Sequence, residues 1–162
     1  MASRSAVIGI GQTKYDAKRI DVSMPGLVRE AALRALEDAD LSFGDIDALV
    51  IGKAPDMFEG VMMPELFLAE ALGGAGKPMI RVHTAGSVGG STGIVASSLV
   101  ESGIFERVLC VGFGYSGQPI VPRAIPRVPS ILQRIPISPA VPSRTGPVQT
   151  SSHAVARTPS GN

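Results

Sequence analysis

The stretch MIRVHTAGSVGGSTGIVASSLVESGI, residues 79–104, decides the fold of the chain. Residues 79–83 form a short β-type run, and a turn of small residues leads from them into a long segment of small and aliphatic residues. No Asp, Glu, Lys or Arg occurs between Arg81 and Glu101, but the glycines and hydroxyls make the segment too polar for a membrane span. The pattern predicts a strand that runs into a helix buried inside a protein.

The junction between this strand and this helix is the predicted functional site. The first N–H groups of a helix have no partner within the helix, and they attract the negative end of a ligand. Glycines at the start of the helix let another group approach the backbone closely. We therefore expect the backbone amides of Gly86, Ser87, Val88 and Gly89 to form a binding site.

Strand-like and helix-like patterns alternate over residues 1–113. The run SAVIGIG at 5–11 is short and rich in β-branched residues, so it predicts a central strand buried on both faces. Ser23 precedes a helical pattern whose first turn tolerates Pro25, which predicts a capped helix. The fold class is α/β, in the order β-α-β-α-β-α-β, with a mostly parallel sheet covered on both faces. The other predicted elements are strands at 47–52, 79–83 and 107–113, a helix at 64–74, and the helix of small residues.

The composition changes after Phe113. Residues 114–162 hold five Arg, no acid and nine of the thirteen prolines, whereas all fourteen Asp and Glu lie in residues 1–113. Proline at this density forbids a long helix or a central strand. We therefore expect a folded domain at 1–113 and a Pro/Arg-rich tail at 114–162 that is irregular, and largely disordered or loosely draped.

Charge and cysteine content exclude several classes of protein. The net charge of +1 does not favour nucleic-acid binding. Cys110 is the only cysteine and lies inside the strand-like run VLCVGF, which predicts a buried, inert thiol and no disulfide framework. The apolar start of the chain is short and broken by Gly9 and Gly11, unlike a signal peptide. We expect a cytoplasmic protein with no membrane span.

Two weaker patterns have ordinary explanations. Gly9 and Gly11 in GIGQTK lack the third glycine of a dinucleotide-binding loop, so they indicate close packing of the strand. Asp56, Glu59 and Glu65 have no His or Cys companion, which favours surface and helix N-terminal charges over a metal site.

Residues 1–113 resemble the N-terminal half of the thiolase superfamily, in particular SCP-x-type thiolases and the thiolase-like lipid-transfer proteins of actinobacterial steroid catabolism. The resemblance implies a five-layered α/β/α/β/α fold, of which this chain holds about the first half, with the C-terminal half missing. The runs that carry it are VIGIGQTKY (7–15), VREAALRALEDADL (28–41), DIDALVIGKAPDMFEGVMMPELFLAEALG (45–73), KPMIRVHTAGSVGGSTG (77–93) and RVLCVGF (107–113).

The resemblance also implies where the chemistry lies. Such thiolases place a nucleophilic Cys at the start of the buried helix, where the helix dipole and free N–H groups stabilise a thiolate that accepts an acyl group from coenzyme A. The alignment puts Gly86 at that position and Gly89 at the motif glycine. Ser87 is adjacent, and His83 is the only nearby base, so both are weak catalytic candidates.

The resemblance implies that the chain is a truncated or frame-shifted thiolase-like protein. The family activity is acyl-CoA C-acyltransfer, or retro-aldol cleavage of a steroid side-chain CoA thioester, and Gly86 predicts that it is lost here. The expected ligand is an acyl-CoA or steroid-CoA thioester, with no bound cofactor and no metal. The alternative is a non-catalytic acyl-CoA- or lipid-binding or scaffold subunit, either a homodimer or paired with a thiolase-like subunit.

The run MFEGVMMPELF at 57–67 carries much apolar side chain for a loop. By resemblance, this region lies near the dimer interface and the acyl pocket, which makes Met62 and Met63 candidate substrate-binding residues. An ordinary core position is the other interpretation.

Overall fold

The computed structural model describes residues 4–14, 19, 21–53 and 61–114, together with the backbone of 149–157. These residues form five strands, three α-helices and a short 3-10 turn. The elements are β1 (Ser5–Gln12), α1 (Met24–Asp38), the turn Phe43–Asp45, β2 (Ala48–Lys53), α2 (Pro64–Leu68), β3 (Met79–Val82), α3 (Val88–Glu101), β4 (Arg107–Gly114) and β5 (Gln149–Arg157).

The five strands form one sheet in the order β1-β5-β4-β2-β3. Strand β2 is parallel to both β3 and β4, and β5 is antiparallel to β4 and β1. Of the five strands that the structure describes, only β5 therefore runs against the others. The carboxylate of Asp47 fixes the start of β2 against β4 by accepting hydrogen bonds of 2.9 Å from the N–H groups of Glu106 and Arg107. The prediction of an α/β fold with a mostly parallel sheet is confirmed.

Strand β5 corrects the prediction that the tail contains no central strand. Residues 149–157 lie between β1 and β4, and their backbone pairs with both neighbours. Proline excludes a residue from a central strand because it has no N–H to donate. The segment lies in the proline-free window between Pro147 and Pro159, so the average proline content of the tail hid it. Residues 115–148 and 158–162, for which an irregular tail was predicted, lie outside the described residues.

Strand β1 corrects a second prediction, because it lies at the edge of the sheet and is not central. One of its faces packs closely on α1. A Cβ at Gly9 or Gly11 would overlap the carbonyl oxygens of Ala35 and Ala31, which explains both glycines by close packing. The opposite face is open to solvent, where the side chains of Val7 and Ile10 are 59% and 61% exposed.

Helix α1 follows its sequence pattern. The hydroxyl of Ser23 accepts a hydrogen bond of 3.3 Å from the N–H of Gly26 and caps the helix, with Pro25 in the first turn as predicted. Its apolar stripe joins the larger core, which also takes side chains from β2, β4 and the segment around α2. The buried residues of α1 are Met24, Leu27, Val28, Ala31, Ala32, Ala35 and Leu36.

Helix α2 is shorter than the helix predicted at 64–74. It ends at Leu68, and turns replace the helix up to Gly73, which has a positive φ of 59°. The N–H of Ala69 donates to the carbonyl of Leu66, and that of Gly74 to Ala69, so the hydrogen-bond pattern is no longer that of an α-helix. Leu68 and Leu72 remain buried in the core.

The substitution Ala154→Pro tests the position of β5. Both edges of this strand are paired, so proline would remove a hydrogen bond and place its ring in the sheet. We expect the free energy of unfolding to fall by about 3 kcal/mol. Urea unfolding followed by circular dichroism measures it, with Thr158→Pro, just beyond the strand, as the control. Equal stability of the two variants would contradict the pairing of β5.

Candidate functional site

Helix α3 packs on β4 and β2, on the face of the sheet opposite α1. Thr92, Ala96 and Val100 are its buried residues. A Cβ on Gly52 of β2 would overlap the hydroxyl of Thr92 and lie 2.9 Å from its Cβ, so only glycine allows this approach of helix and strand. This contact was not predicted from the sequence, although a glycine inside a strand-like run was a signal for it.

The start of α3 lies just beyond the carboxyl end of β3, where the sequence predicted the site. The N–H of Val88 donates to the carbonyl of Ala85 over 3.3 Å, so this amide is occupied. The N–H groups of Gly86, Ser87 and Gly89 have no hydrogen-bond partner among the described residues. Of the predicted group of amides, three are therefore available to a ligand.

Within the part of the chain that the structure describes, neither a capping side chain nor an acid in the first turn interacts with the start of the helix. Ser87 is the N-cap residue, but its hydroxyl makes no capping hydrogen bond, and the first turn contains no acidic residue. The partial positive charge of the helix N-terminus is thus left for an external acceptor. A carbonyl oxygen or an anion fits this arrangement.

Gly86 is exposed, and a Cβ built on it has no atom within 4 Å. Packing within the described residues therefore does not require glycine at this position. The position has room for a nucleophile and carries none. No covalent step can begin at residue 86.

The prediction of a buried helix holds for one side of α3 only. Its sheet-facing side is buried, but Ile94 on the outer side is 70% exposed. The sequence could not show this, because a small, charge-free helix has the same composition whether its outer face meets protein or solvent.

His83 and Ser87 are both exposed and lie in the connection between β3 and α3. Among the described residues, no hydrogen bond joins the imidazole to the hydroxyl. A serine nucleophile needs such a base within reach. The structure does not bring these residues together as a catalytic pair, and their catalytic roles stay weak predictions.

Met62 and Met63 precede α2, and their side chains are 80% and 53% exposed. They are thus not core residues. Helix α2 packs against α1 and β3, whereas α3 covers the other face of the sheet. The described contacts do not bring the two methionines to Gly86, so a shared pocket stays a prediction. Met57, Phe58, Asp56 and Glu59 lie outside the described residues.

The α1 side of the molecule holds a cleft of about 530 Å³. It lies between the first turn of α1 and the end of α2, and it does not include the start of α3. The guanidinium of Arg29 stands at its wall, where it donates to the carbonyl of Ala71 over 2.7 Å and lies 5.1 Å from the centre of the Phe43 ring. The arginine is thus held by its neighbours.

Titratable groups away from the start of α3 belong to the packing of the fold. Glu65 lies in the first turn of α2, as predicted, 3.8 Å from the guanidinium of Arg81 on β3. Cys110 is buried, as predicted, and this burial raises the pKa of its thiol to about 11, which disfavours the reactive thiolate. Within the described residues, no cluster of three or more His, Cys, Asp or Glu could hold a metal ion. In the same part of the chain, no helix is long and apolar enough to cross a membrane.

Comparison with known proteins identifies relatives over the front part of the chain. No protein-family model matches. A non-specific lipid-transfer protein-like 2 from Caenorhabditis elegans is 32% identical over 66% of this chain and 26% of its own length. Sterol carrier protein 2 from Homo sapiens is 30% identical, and the match covers 68% of this chain and 20% of that protein. An acetyl-CoA acetyltransferase from Methanothermobacter thermautotrophicus is 34% identical, and the match covers 66% of this chain and 28% of that protein. The chain thus spans about a quarter of the length of these relatives.

Solved structures share the fold. A priming beta-ketosynthase from a polyketide biosynthetic pathway has a TM-score of 0.68 at 17% identity over 97% of this chain and 51% of its own. A second structure is a cysteine-to-serine variant of OleA from Xanthomonas campestris with bound lauric acid and lauroyl-CoA. Its TM-score is 0.65 at 15% identity, and the match covers 97% of this chain and 57% of that chain. An Ltp2-ChsH2(DUF35) aldolase has a TM-score of 0.65 at 18% identity, and the match covers 96% of this chain and 56% of that chain. With these relatives and this fold, the chain belongs to the thiolase superfamily.

Proposed function

We propose that the chain is an acyl-CoA-binding member of the superfamily in lipid metabolism that does not turn over substrate by itself. The observation that carries the proposal is the start of α3, where the backbone amides of Gly86, Ser87 and Gly89 have no hydrogen-bond partner among the described residues and the space at Gly86 is open. The names of the sequence relatives support a lipid or acyl-CoA ligand. A steroid-CoA thioester and a cytoplasmic location are the finer parts of the same proposal.

The chemistry of the site fits binding better than catalysis. The carbonyl oxygen of a thioester accepts hydrogen bonds, and amides at a helix start stabilise its partial negative charge. Acyl transfer also needs an attacking group, which Gly86 lacks. Cys110 cannot replace it, because it is buried in β4 with a raised pKa.

A titration with lauroyl-CoA tests the proposal. The variant Ser87→Pro removes one amide hydrogen together with the hydroxyl, and Ser87→Ala removes the hydroxyl alone. Since the loss of one hydrogen bond costs about 1 to 1.5 kcal/mol, we expect Kd to rise about tenfold in Ser87→Pro and little in Ser87→Ala. Isothermal titration calorimetry measures both. Equal affinities of the two variants, or no binding by the wild-type chain, would refute the role of the amides.

The same preparation is expected to show no coenzyme A-dependent cleavage of a 3-oxoacyl-CoA above the rate without protein. Thiolysis requires a thiolate to take the acyl group, and the site offers none. Release of acetyl-CoA by the pure chain would overturn the non-catalytic part of the proposal and leave the binding part intact.

The second candidate function is a non-catalytic subunit that pairs with a thiolase-like chain or with a second copy of itself. It is favoured by the exposed side chains of Met62, Met63, Leu66 and Phe67 around α2. Patches of this kind mark binding surfaces. The Ltp2-ChsH2(DUF35) aldolase is an example of an assembly among proteins with this fold. Size-exclusion chromatography with and without a thiolase-like subunit separates a stable heteromer from a chain that stays alone.

The frame-shift hypothesis remains a proposal about the gene. Its support is the absence of acidic residues after residue 113, where the family-like sequence stops. Resequencing the gene around the codon for Phe113 tests it. A thiolase-like continuation in another reading frame supports the hypothesis, and its absence refutes it.

A further inference from the structure

The cleft between the first turn of α1 and the end of α2 has no part in the proposed function. We name it the α1–α2 cleft. Its volume of about 530 Å³ lies within the range of about 300 to 1,000 Å³ that is usual for small-molecule sites. Helix α1 and helix α3 cover opposite faces of the sheet, so this cleft is separate from the start of α3. Its lining residues are Pro25, Gly26, Arg29, Phe67, Glu70 and Ala71.

The α1 wall of the cleft is positive. The guanidinium of Arg29 donates to the carbonyl of Ala71, which is its one hydrogen-bond acceptor among the described residues, and it lies over the ring of Phe43. A guanidinium has five N–H donors, so the others are available to a ligand. The first turn of α1, with Pro25 and Gly26, contains no acid, and the partial positive charge of the helix start adds to that of the arginine. An arginine held in place in advance binds a phosphate at a small cost in entropy.

The α2 wall carries a negative charge and an aromatic ring. Within the part of the chain that the structure describes, the carboxylate of Glu70 accepts no hydrogen bond and forms no ion pair, not even with Arg29 of the same cleft. Phe67 lines the same wall, and its side chain is half exposed. An aromatic face attracts a quaternary ammonium group, and a carboxylate adds Coulomb attraction. This wall therefore favours a cation.

The two charges together select the class of ligand. An anion is attracted by Arg29 and repelled by Glu70, and the reverse holds for a cation. A molecule that carries both charges is attracted by both walls. Met63 and Leu66 lie beside Phe67 around α2 and are exposed, so they offer an apolar surface next to the cleft. A hydrocarbon chain gains free energy by covering such a surface.

We propose that the α1–α2 cleft binds a single-chain amphiphile with a phosphocholine-type head group. The phosphate contacts Arg29, and the ammonium lies at Glu70 and Phe67. The hydrocarbon chain covers Met63 and Leu66. This site is independent of the acyl-CoA site at the start of α3. The same head group occurs on free amphiphiles and on membrane surfaces, so the test contains both.

Isothermal titration calorimetry with dodecylphosphocholine below its critical micelle concentration tests the inference. We expect Kd to rise about tenfold in Arg29→Gln, which loses the phosphate contact, and about threefold in Glu70→Gln. Dodecyltrimethylammonium carries the cation alone, so its Kd is expected to rise only in Glu70→Gln. The control is Glu37→Gln, at an exposed position farther along α1, where neither Kd is expected to change.

The pattern of the two probes separates head-group recognition from a general affinity for detergent. No binding of either dodecylphosphocholine or phosphatidylcholine vesicles, or equal Kd values in the wild-type chain, Arg29→Gln and Glu70→Gln, would overturn the inference. Binding to vesicles alone, with the same dependence on the two residues, assigns the head group to a membrane surface. Circular dichroism checks folding, and Glu70→Gln removes no described side-chain contact, so it is expected to fold like the wild-type chain.

The variant Ser87→Pro keeps the two sites apart. It is expected to weaken lauroyl-CoA and to leave the Kd of dodecylphosphocholine unchanged. Weaker binding of both ligands in this variant would place them in one shared site and would overturn the assignment of the α1–α2 cleft.

Discussion

The thiol introduced by Gly86→Cys is expected to react with iodoacetamide at pH 7 at least about 100-fold faster than Cys110 does in the wild-type chain. Residue 86 is exposed, and a Cβ there has no atom within 4 Å, so the side chain fits without rearrangement. A cysteine at a helix N-terminus has a pKa of about 3.5 to 7.5 in known cases. Cys110 is buried and has its pKa raised to about 11, so at pH 7 only about one in ten thousand of its thiols is ionised.

The pH dependence of the reaction gives the sharper test. The rate of alkylation follows the thiolate fraction, so it rises with pH through the pKa of the thiol. We expect this midpoint to lie below that of Ser98→Cys, an exposed position in the same helix far from its start. Replacing Cys110 by Ala in both variants removes the background. Equal midpoints would mean that the amides at the start of α3 do not stabilise negative charge.

The elements that depend on local sequence were predictable. Ser23 and Pro25 mark the start of α1, and the helical spacing of its apolar residues selects the face that is buried. The strand that leads into the small-residue helix was equally clear, and it placed the candidate site at the junction of the two. Local patterns were sufficient for these parts because capping and periodicity act over a few residues.

The sheet order was not predictable from the same patterns. The run at 5–11 has the composition of a central strand, but two of its residues are glycines that let α1 approach one face, and the strand lies at the edge. Strand β5 lies far along the chain from both of its neighbours. Pairings of this kind depend on the whole sheet and leave little trace in the sequence of one strand.

Only part of the site was predictable, because some of its features depend on the tertiary structure and not on the local sequence. The alignment located Gly86, Ser87 and Gly89 at a helix start, where three amides lack partners among the described residues. It could not show that the amide of Val88 is occupied by Ala85, because that hydrogen bond depends on the turn geometry. The exposure of the helix was likewise hidden, since it depends on what packs against its outer face.

The position of the site depends on the contact between Gly52 and Thr92, so Gly52→Ala is expected to have a large effect on stability. The added Cβ would overlap the Thr92 hydroxyl, and β2 and α3 would have to separate. Overpacking of this kind costs about 3 kcal/mol of the free energy of unfolding. The matched control is Gly89→Ala, where a Cβ has no atom within 4 Å and stability is expected to stay the same or to rise by up to about 1 kcal/mol.

Removal of the clashing hydroxyl is expected to rescue part of this loss. Thr92→Ala eliminates the atom that overlaps, but the Cβ of residue 92 stays 2.9 Å from the new methyl group, so the rescue is incomplete. Alone, Thr92→Ala also removes the 2.6 Å hydrogen bond to the carbonyl of Val88, at a cost of about 1 kcal/mol. The double variant is then expected to be more stable than the sum of the single effects by about 1 to 2 kcal/mol. Urea unfolding of the four proteins measures this coupling, and simple additivity would mean that another contact sets the distance between α3 and the sheet.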